Sequence, residues 1–154
     1  MDRRRRSGLR AAFSQRLRLF LDSSVLLAAC GSERGASRLV FKSAADRDWE
    51  LLSTLYAVNE VETNLPDLGA AAEAAWPQLL KQITLVPNVV TADRPVVFSP
   101  SKDRPILLSA LAWADVLLTL DRADFSEQLG RQFYELSVLT PGKFLDLERA
   151  AGRF

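Results

Sequence analysis

Acidic residues stand where apolar runs of this chain stop. Asp22 follows Leu17-Arg18-Leu19-Phe20-Leu21, and Asp121 follows Val116-Leu117-Leu118-Thr119-Leu120. Asp103 opens the stretch Pro105 to Trp113, just after Val96-Val97-Phe98, and Glu60 lies inside the apolar segment Tyr56-Ala57-Val58-Asn59-Glu60-Val61. A carboxylate at the carboxyl end of a buried strand lines a crevice instead of meeting bulk water. Several converging there repel one another strongly unless a cation neutralises them. The chemistry this pattern points to is a divalent metal site.

Composition narrows the alternatives. The chain has no histidine, which excludes Ser-His-Asp and Cys-His nucleophilic machinery and any His-ligated zinc or iron. Its single cysteine, Cys30, sits in the apolar run Val25 to Cys30 and reads as a small core residue. Carboxylates, hydroxyls, Lys and Arg remain, and oxygen ligands suit the hard cations Mg²⁺ and Mn²⁺. A net charge of +1 gives no global field that would advertise a nucleic-acid partner. The distribution is uneven, however: Arg3, Arg4, Arg5, Arg6, Arg10, Arg16 and Arg18 crowd the start against Asp2 alone. That start reads as a basic arm for nucleic-acid phosphates, as a leader without a role, or as an amphipathic organellar presequence. No apolar stretch approaches the ~20 residues of a membrane span, and no apolar core of a secretory signal follows the arginines. A cytoplasmic protein is expected.

The elements that must position the acids follow from patterning. The length of 154 residues fits one domain, with residues 1–16 a flexible basic tail and 17–151 the folded part. Leu17 to Leu21 and Val116 to Leu120 read as buried strands, and Leu51 to Ser53, Ile83 to Val86, Val96 to Phe98 and Leu136 to Leu139 as shorter ones. Between them fall helices over Val25 to Cys30 (capped by Ser23 or Ser24), Ala36 to Arg47, Leu55 to Asn64, Leu68 to Gln82, Pro105 to Trp113, Phe125 to Phe133 and Pro141 to Ala151. Alternating strands and helices imply an α/β fold: a central parallel sheet covered on both faces, with ligands at the carboxyl edge of the strands.

The motifs together resemble those of PIN-domain ribonucleases, the family that includes VapC-type toxins. Phe20-Leu21-Asp22-Ser23-Ser24-Val25-Leu26-Leu27 is similar to the family's first motif, and Asn59-Glu60-Val61-Glu62-Thr63-Asn64-Leu65 to its helix-borne Glu. Lys102-Asp103-Arg104-Pro105-Ile106-Leu107-Leu108-Ser109-Ala110-Leu111 is similar to the third. Ala114-Asp115-Val116-Leu117-Leu118-Thr119-Leu120-Asp121-Arg122-Ala123-Asp124-Phe125 resembles the fourth, and Leu139-Thr140-Pro141-Gly142-Lys143-Phe144-Leu145 the usual close. The likeness covers residues 17–147. Ser24 departs from the more frequent Asn, though its hydroxyl can still orient Asp22.

The resemblance implies a PIN-like three-layer α/β/α sandwich and metal-dependent hydrolysis of RNA, as the toxin of a toxin–antitoxin pair. Its catalytic and metal-binding residues would be Asp22, Glu60, Asp103 and Asp121. Asp124 either ligates a second ion or caps a helix. Ser23, Ser24 and Thr119 would support the ligands by hydrogen bonds, and Arg104 and Arg122 would grip RNA phosphates. A cognate antitoxin and a homodimer are implied as partners. Glu62 competes with Glu60, but positions two apart on a helix face different ways, so only one can serve. Other roles compete as well: Asp22 and Asp103 can cap helices, Asp121 can be a turn residue, and Glu60 can be solvated surface. Trp49, Trp76 and Trp113 read as core or interface anchors before base-stacking platforms. The rival reading is a non-catalytic PIN-like or receiver-like binding or signalling domain with an acidic pocket. A haloacid-dehalogenase-type phosphatase wants a second Asp where Ser24 stands.

Overall fold

The apolar run Leu17-Arg18-Leu19-Phe20-Leu21 forms the first strand, β1 (Leu17–Leu21), and lies inside the sheet. Leu19, Phe20 and Leu21 are fully buried, as a strand covered on both faces requires. Burying each such side chain contributes roughly 1.5–3 kcal/mol. The structure, a computed structural model, describes residues 16–89, 104–121, 131–133 and 135–154. The remaining strands are β2 (Trp49–Ser53), β3 (Thr84–Leu85), β4 (Val116–Leu118), β5 (Arg131–Phe133) and β6 (Leu136–Leu139). The helices are α1 (Ser23–Gly31), α2 (Ala36–Arg47), α3 (Leu55–Asn64), α4 (Ala70–Leu80), α5 (Arg104–Trp113) and α6 (Pro141–Ala150).

The strand order is β3-β2-β1-β4-β6-β5. Every pairing from β3 through β6 is parallel, and β5 alone runs antiparallel, along the outer edge of β6. Helix α1 packs on α2, α3 and α4, while α5 packs on β1, β4 and α3. The result is a three-layer α/β/α sandwich, as the alternation of elements predicts. From the centre, β1 leads outward to β2 and β4 leads outward to β6. The carboxyl ends of β1 and β4 therefore flank the point where the chain's winding reverses, the place where such sheets bind ligands.

Hydrogen bonds pin this central pair at both ends. At the amino edge the Arg18 amide donates to Asp115 Oδ2 (2.9 Å), and the Asp115 amide donates to the Arg18 carbonyl (3.0 Å). At the carboxyl edge the Asp22 amide donates to the Leu118 carbonyl (3.1 Å). The register between β1 and β4 fixes Asp22 relative to the residues that leave β4.

Several boundaries differ from the sequence expectation. The helix expected over Phe125 to Phe133 is contradicted at its end, where Arg131–Phe133 forms β5, with Phe133 opposite Leu136. Pairing with β6 decides the state there over local helical patterning. The helix expected from Leu68 begins at Ala70, because Leu65–Leu68 tightens into a 3₁₀ turn and Gly69 adopts φ 98°, a conformation that favours glycine. The strand expected over Val96 to Phe98 lies outside the described residues. Trp49 and Trp76 are buried and Cys30 is buried, all three as core residues. Burial pushes the Cys30 thiol pKa up, so the thiol form is favoured. Among the described residues no helix is long and apolar enough to cross a membrane.

Candidate functional site

Asp22 ends β1 in an extended conformation and becomes the N-cap of α1, its carboxylate accepting from the Ser23 amide. Here the structure corrects one expectation: Ser23 and Ser24 are the first residues of α1, and the capping role falls to Asp22. Capping uses only part of the carboxylate. Oδ1 accepts from the Ser23 amide at 2.8 Å. Oδ2 accepts from Ser24 Oγ and from Thr119 Oγ1, each at 2.8 Å.

Asp22 is nearly inaccessible, with 3% exposure. Loss of solvent pushes its pKa above the ordinary value of 3.8. The hydrogen bonds from Thr119, Ser24 and Ser23 oppose that shift, and the nearby charge of Asp121 adds to it. Among the described residues no cation pairs with Asp22. A buried, ionised carboxylate without a counter-charge costs several kcal/mol.

Glu60 reaches the same place from α3. It is half-buried, and its Oε2 accepts from Ser23 Oγ at 3.1 Å. Ser23 Oγ is also 3.5 Å from Asp22 Oδ1, so one hydroxyl spans the two acids. Glu62 is exposed and accepts from Trp76 Nε1 at 3.5 Å, away from the cluster. Of the two acids, Glu60 is therefore the one that lies beside Asp22.

Asp121 arrives on the segment that leaves β4. It is half-buried, and its amide donates to Thr119 Oγ1 at 3.1 Å. The preceding amide, of Leu120, donates to Ser24 Oγ at 3.0 Å. Asp103, Asp124 and Arg122 lie outside the described residues. Arg104 is the first residue of α5.

Asp22, Glu60 and Asp121 thus lie near one another at the carboxyl edge: Ser23 links the first two, and the charge of Asp121 acts on Asp22. Among the described residues, no group of three or more His, Cys, Asp or Glu side chains is close enough to hold a metal ion unaided. The donor chemistry nevertheless suits a hard cation: a buried carboxylate with no counter-charge among the described residues, a second acid one hydroxyl away and a third on the adjoining segment. The hydrogen bonds from the Leu120 and Asp121 amides into the serine and threonine hydroxyls carry no sequence signature, because main-chain donors are invisible in residue types. Asp115, within the fourth motif, belongs instead to the opposite edge, where it holds β1 to β4. Comparison of the sequence with known protein families and with curated proteins found no match.

Proposed function

We propose that the chain is a metal-dependent ribonuclease of the PIN-domain type, hydrolysing RNA phosphodiester bonds with Mg²⁺ or Mn²⁺. The observation that carries this reading is the buried Asp22 carboxylate, which has no cation beside it among the described residues and lies near Glu60 and Asp121 at the sheet's reversal point. Asp22, Glu60 and Asp121 would hold the ion, and the resemblance adds Asp103 to them. When bound, such a cation supplies a water of lowered pKa and neutralises charge growing on the phosphoryl oxygens. Without histidine, the proton of the attacking water must pass to a carboxylate or to solvent. Glu60 is better placed for this than Asp22: it is half-buried and can pass a proton to water, whereas Asp22 is nearly inaccessible. Ser23 holds Glu60 against the first acid through its hydroxyl. The same reading carries a cognate antitoxin and a homodimer as partners, and the resemblance gives Arg104 and Arg122 the task of gripping RNA phosphates.

Purified protein should cleave single-stranded or structured RNA with Mg²⁺ or Mn²⁺, and EDTA should abolish the cleavage. Glu60→Gln should reduce the rate by on the order of 10²-fold, through lost ligation and proton transfer, while Glu62→Gln leaves it near the wild-type value. Cleavage that survives EDTA, or an equal loss in both variants, would overturn the reading.

A further inference from the structure

Gly152, Arg153 and Phe154, which follow α6, turn back onto the amino edge of the sheet, the opposite end of the strands from Asp22. The Gly152 amide donates to the Arg149 carbonyl (3.0 Å) and the Arg153 amide to the Glu148 carbonyl (2.9 Å), with Gly152 at φ 73°. This glycine-closed helix end folds the chain back along α6. Arg153 then meets Glu148 a second time, side chain to side chain: Nε donates to Oε2 (2.8 Å) and Nη2 to Oε1 (3.0 Å). Phe154 stacks on Trp49, the first residue of β2, with ring centroids 6.0 Å apart and planes 28° apart. The guanidinium groups of Arg47 and Arg149 lie 5.2 and 4.8 Å from the centre of the Phe154 ring. Arg47 Nη1 also donates to the Arg153 carbonyl (3.4 Å).

Each of these holds selects a residue type. One planar guanidinium takes both oxygens of Glu148, a geometry that a lysine ammonium does not reproduce. The Glu148 side chain is only 7% exposed and pairs with no other cation among the described residues, so without a guanidinium it is a buried charge left alone. An indole face with two cations beside it favours an aromatic ring. The four receiving side chains belong to α2, β2 and α6, and they stay in place when residues 152–154 do not. The holds on the segment itself are shallow. The Arg153 side chain is 65% exposed, and Arg47 and Arg149 are exposed, so water and salt weaken that side of the contact.

We propose that the amino edge carries a docking slot for a peptide segment in which arginine is followed by an aromatic residue, filled here by the chain's own Arg153-Phe154 and open to the same pair on a partner protein. Glu148 reads the arginine, and Trp49 with Arg47 and Arg149 reads the ring. The tethered segment competes at an effective concentration on the order of millimolar, so a partner displaces it by bringing further contacts of its own. The slot is independent of the acids at the carboxyl edge and of the reaction proposed for them.

The full chain carrying Arg153→Ser and Phe154→Ser empties the slot. The probe is the tetrapeptide Ala-Gly-Arg-Phe, blocked at both ends, titrated while the Trp49 indole N–H is followed by NMR. The peptide should shift that signal saturably and bind the emptied variant about 10-fold or more tighter than wild type, where the tethered pair competes. Ala-Gly-Lys-Phe and Ala-Gly-Arg-Ala should each bind about 10-fold or more weaker than Ala-Gly-Arg-Phe. Adding Glu148→Gln to the emptied variant should remove the preference for arginine over lysine and leave the preference for the ring. Phe154→Ala alone keeps the ion pair and serves if the double variant does not fold: it should bind Ala-Gly-Arg-Phe more tightly than wild type does. No saturable shift at Trp49 in either variant overturns the slot, and so does equal binding of the three peptides, because the segment would then be a fixed part of the fold.

Discussion

Asp22→Asn is expected to lower metal-dependent RNA cleavage by on the order of 10³-fold and, at the same time, to raise the melting temperature of the metal-free protein. The loss follows from charge. In the proposed activity a bound cation would contribute several kcal/mol of transition-state stabilisation, and removing about 4 kcal/mol of it is a factor of about 10³ in rate. The gain in stability follows from burial. Asn keeps the oxygen that accepts from the Ser23 amide, and its amide group can donate to the Ser24 and Thr119 oxygens, at the cost of the bonds those hydroxyls gave to Oδ2. What disappears is a desolvated charge and its repulsion with Asp121, and loss of solvent is the dominant influence on this group. Asp22→Ala separates the two effects. It should be equally inactive, but it strips the cap from α1 and leaves buried hydroxyls without an acceptor, so it should lose stability, by about 1 kcal/mol for the cap alone. Cleavage assays and thermal unfolding of both variants in EDTA check this. Wild-type activity in Asp22→Asn would remove Asp22 from the site, and a lowered melting point would show that the hydrogen bonds outweigh burial.

The residue patterns predict the helices around β1 and β2 well and the acid-bearing segments only in part. Leu55–Asn64 is legible to the residue because Thr54 caps it and its apolar positions recur at helical spacing. The burial of β1 is legible because a run of apolar residues broken only by Arg18 has no solvent face. That two strands far apart in the chain would lie side by side is legible only from the alternation of elements, which sets a parallel sheet but not its order. Residue types cannot show that β1 and β4 are neighbours, and the convergence of Asp22 with Asp121 depends on it. The choice between Glu60 and Glu62 likewise waits on the orientation of α3, with Trp76 taking Glu62 away from the crevice. At Asp22 the sequence sets capping and ligation against each other as rivals. The structure shows the cap, made by Oδ1 alone, while Oδ2 accepts from the Ser24 and Thr119 hydroxyls.

Mg²⁺ or Mn²⁺ should therefore stabilise the wild-type fold, and the stability it confers should depend on pH in a defined direction. At about 100 times Kd, a ligand specific for the folded state contributes ~2.7 kcal/mol, or about 5–10 °C of melting temperature for a domain of this size. In Asp22→Asn that shift should nearly vanish. The pH dependence comes from the raised pKa of Asp22 in the metal-free fold. The folded chain holds this proton more tightly than the unfolded chain does. Whatever Asp22 contributes to stability is thus fully present below its ordinary value of 3.8 and is lost as pH climbs to the raised value of the folded state. In EDTA, the stability advantage of Asp22→Asn over wild type should be small near pH 4, widen as pH rises through that window, and then level off. Denaturant unfolding of the two proteins at a series of pH values measures the gap. With saturating Mg²⁺ the gap should close or reverse, because the carboxylate then has a positive charge beside it. A gap that is flat with pH and indifferent to Mg²⁺ would mean that Asp22 is held neutral or solvated, and a crevice built on its charge could not draw in the cation that the proposed chemistry needs.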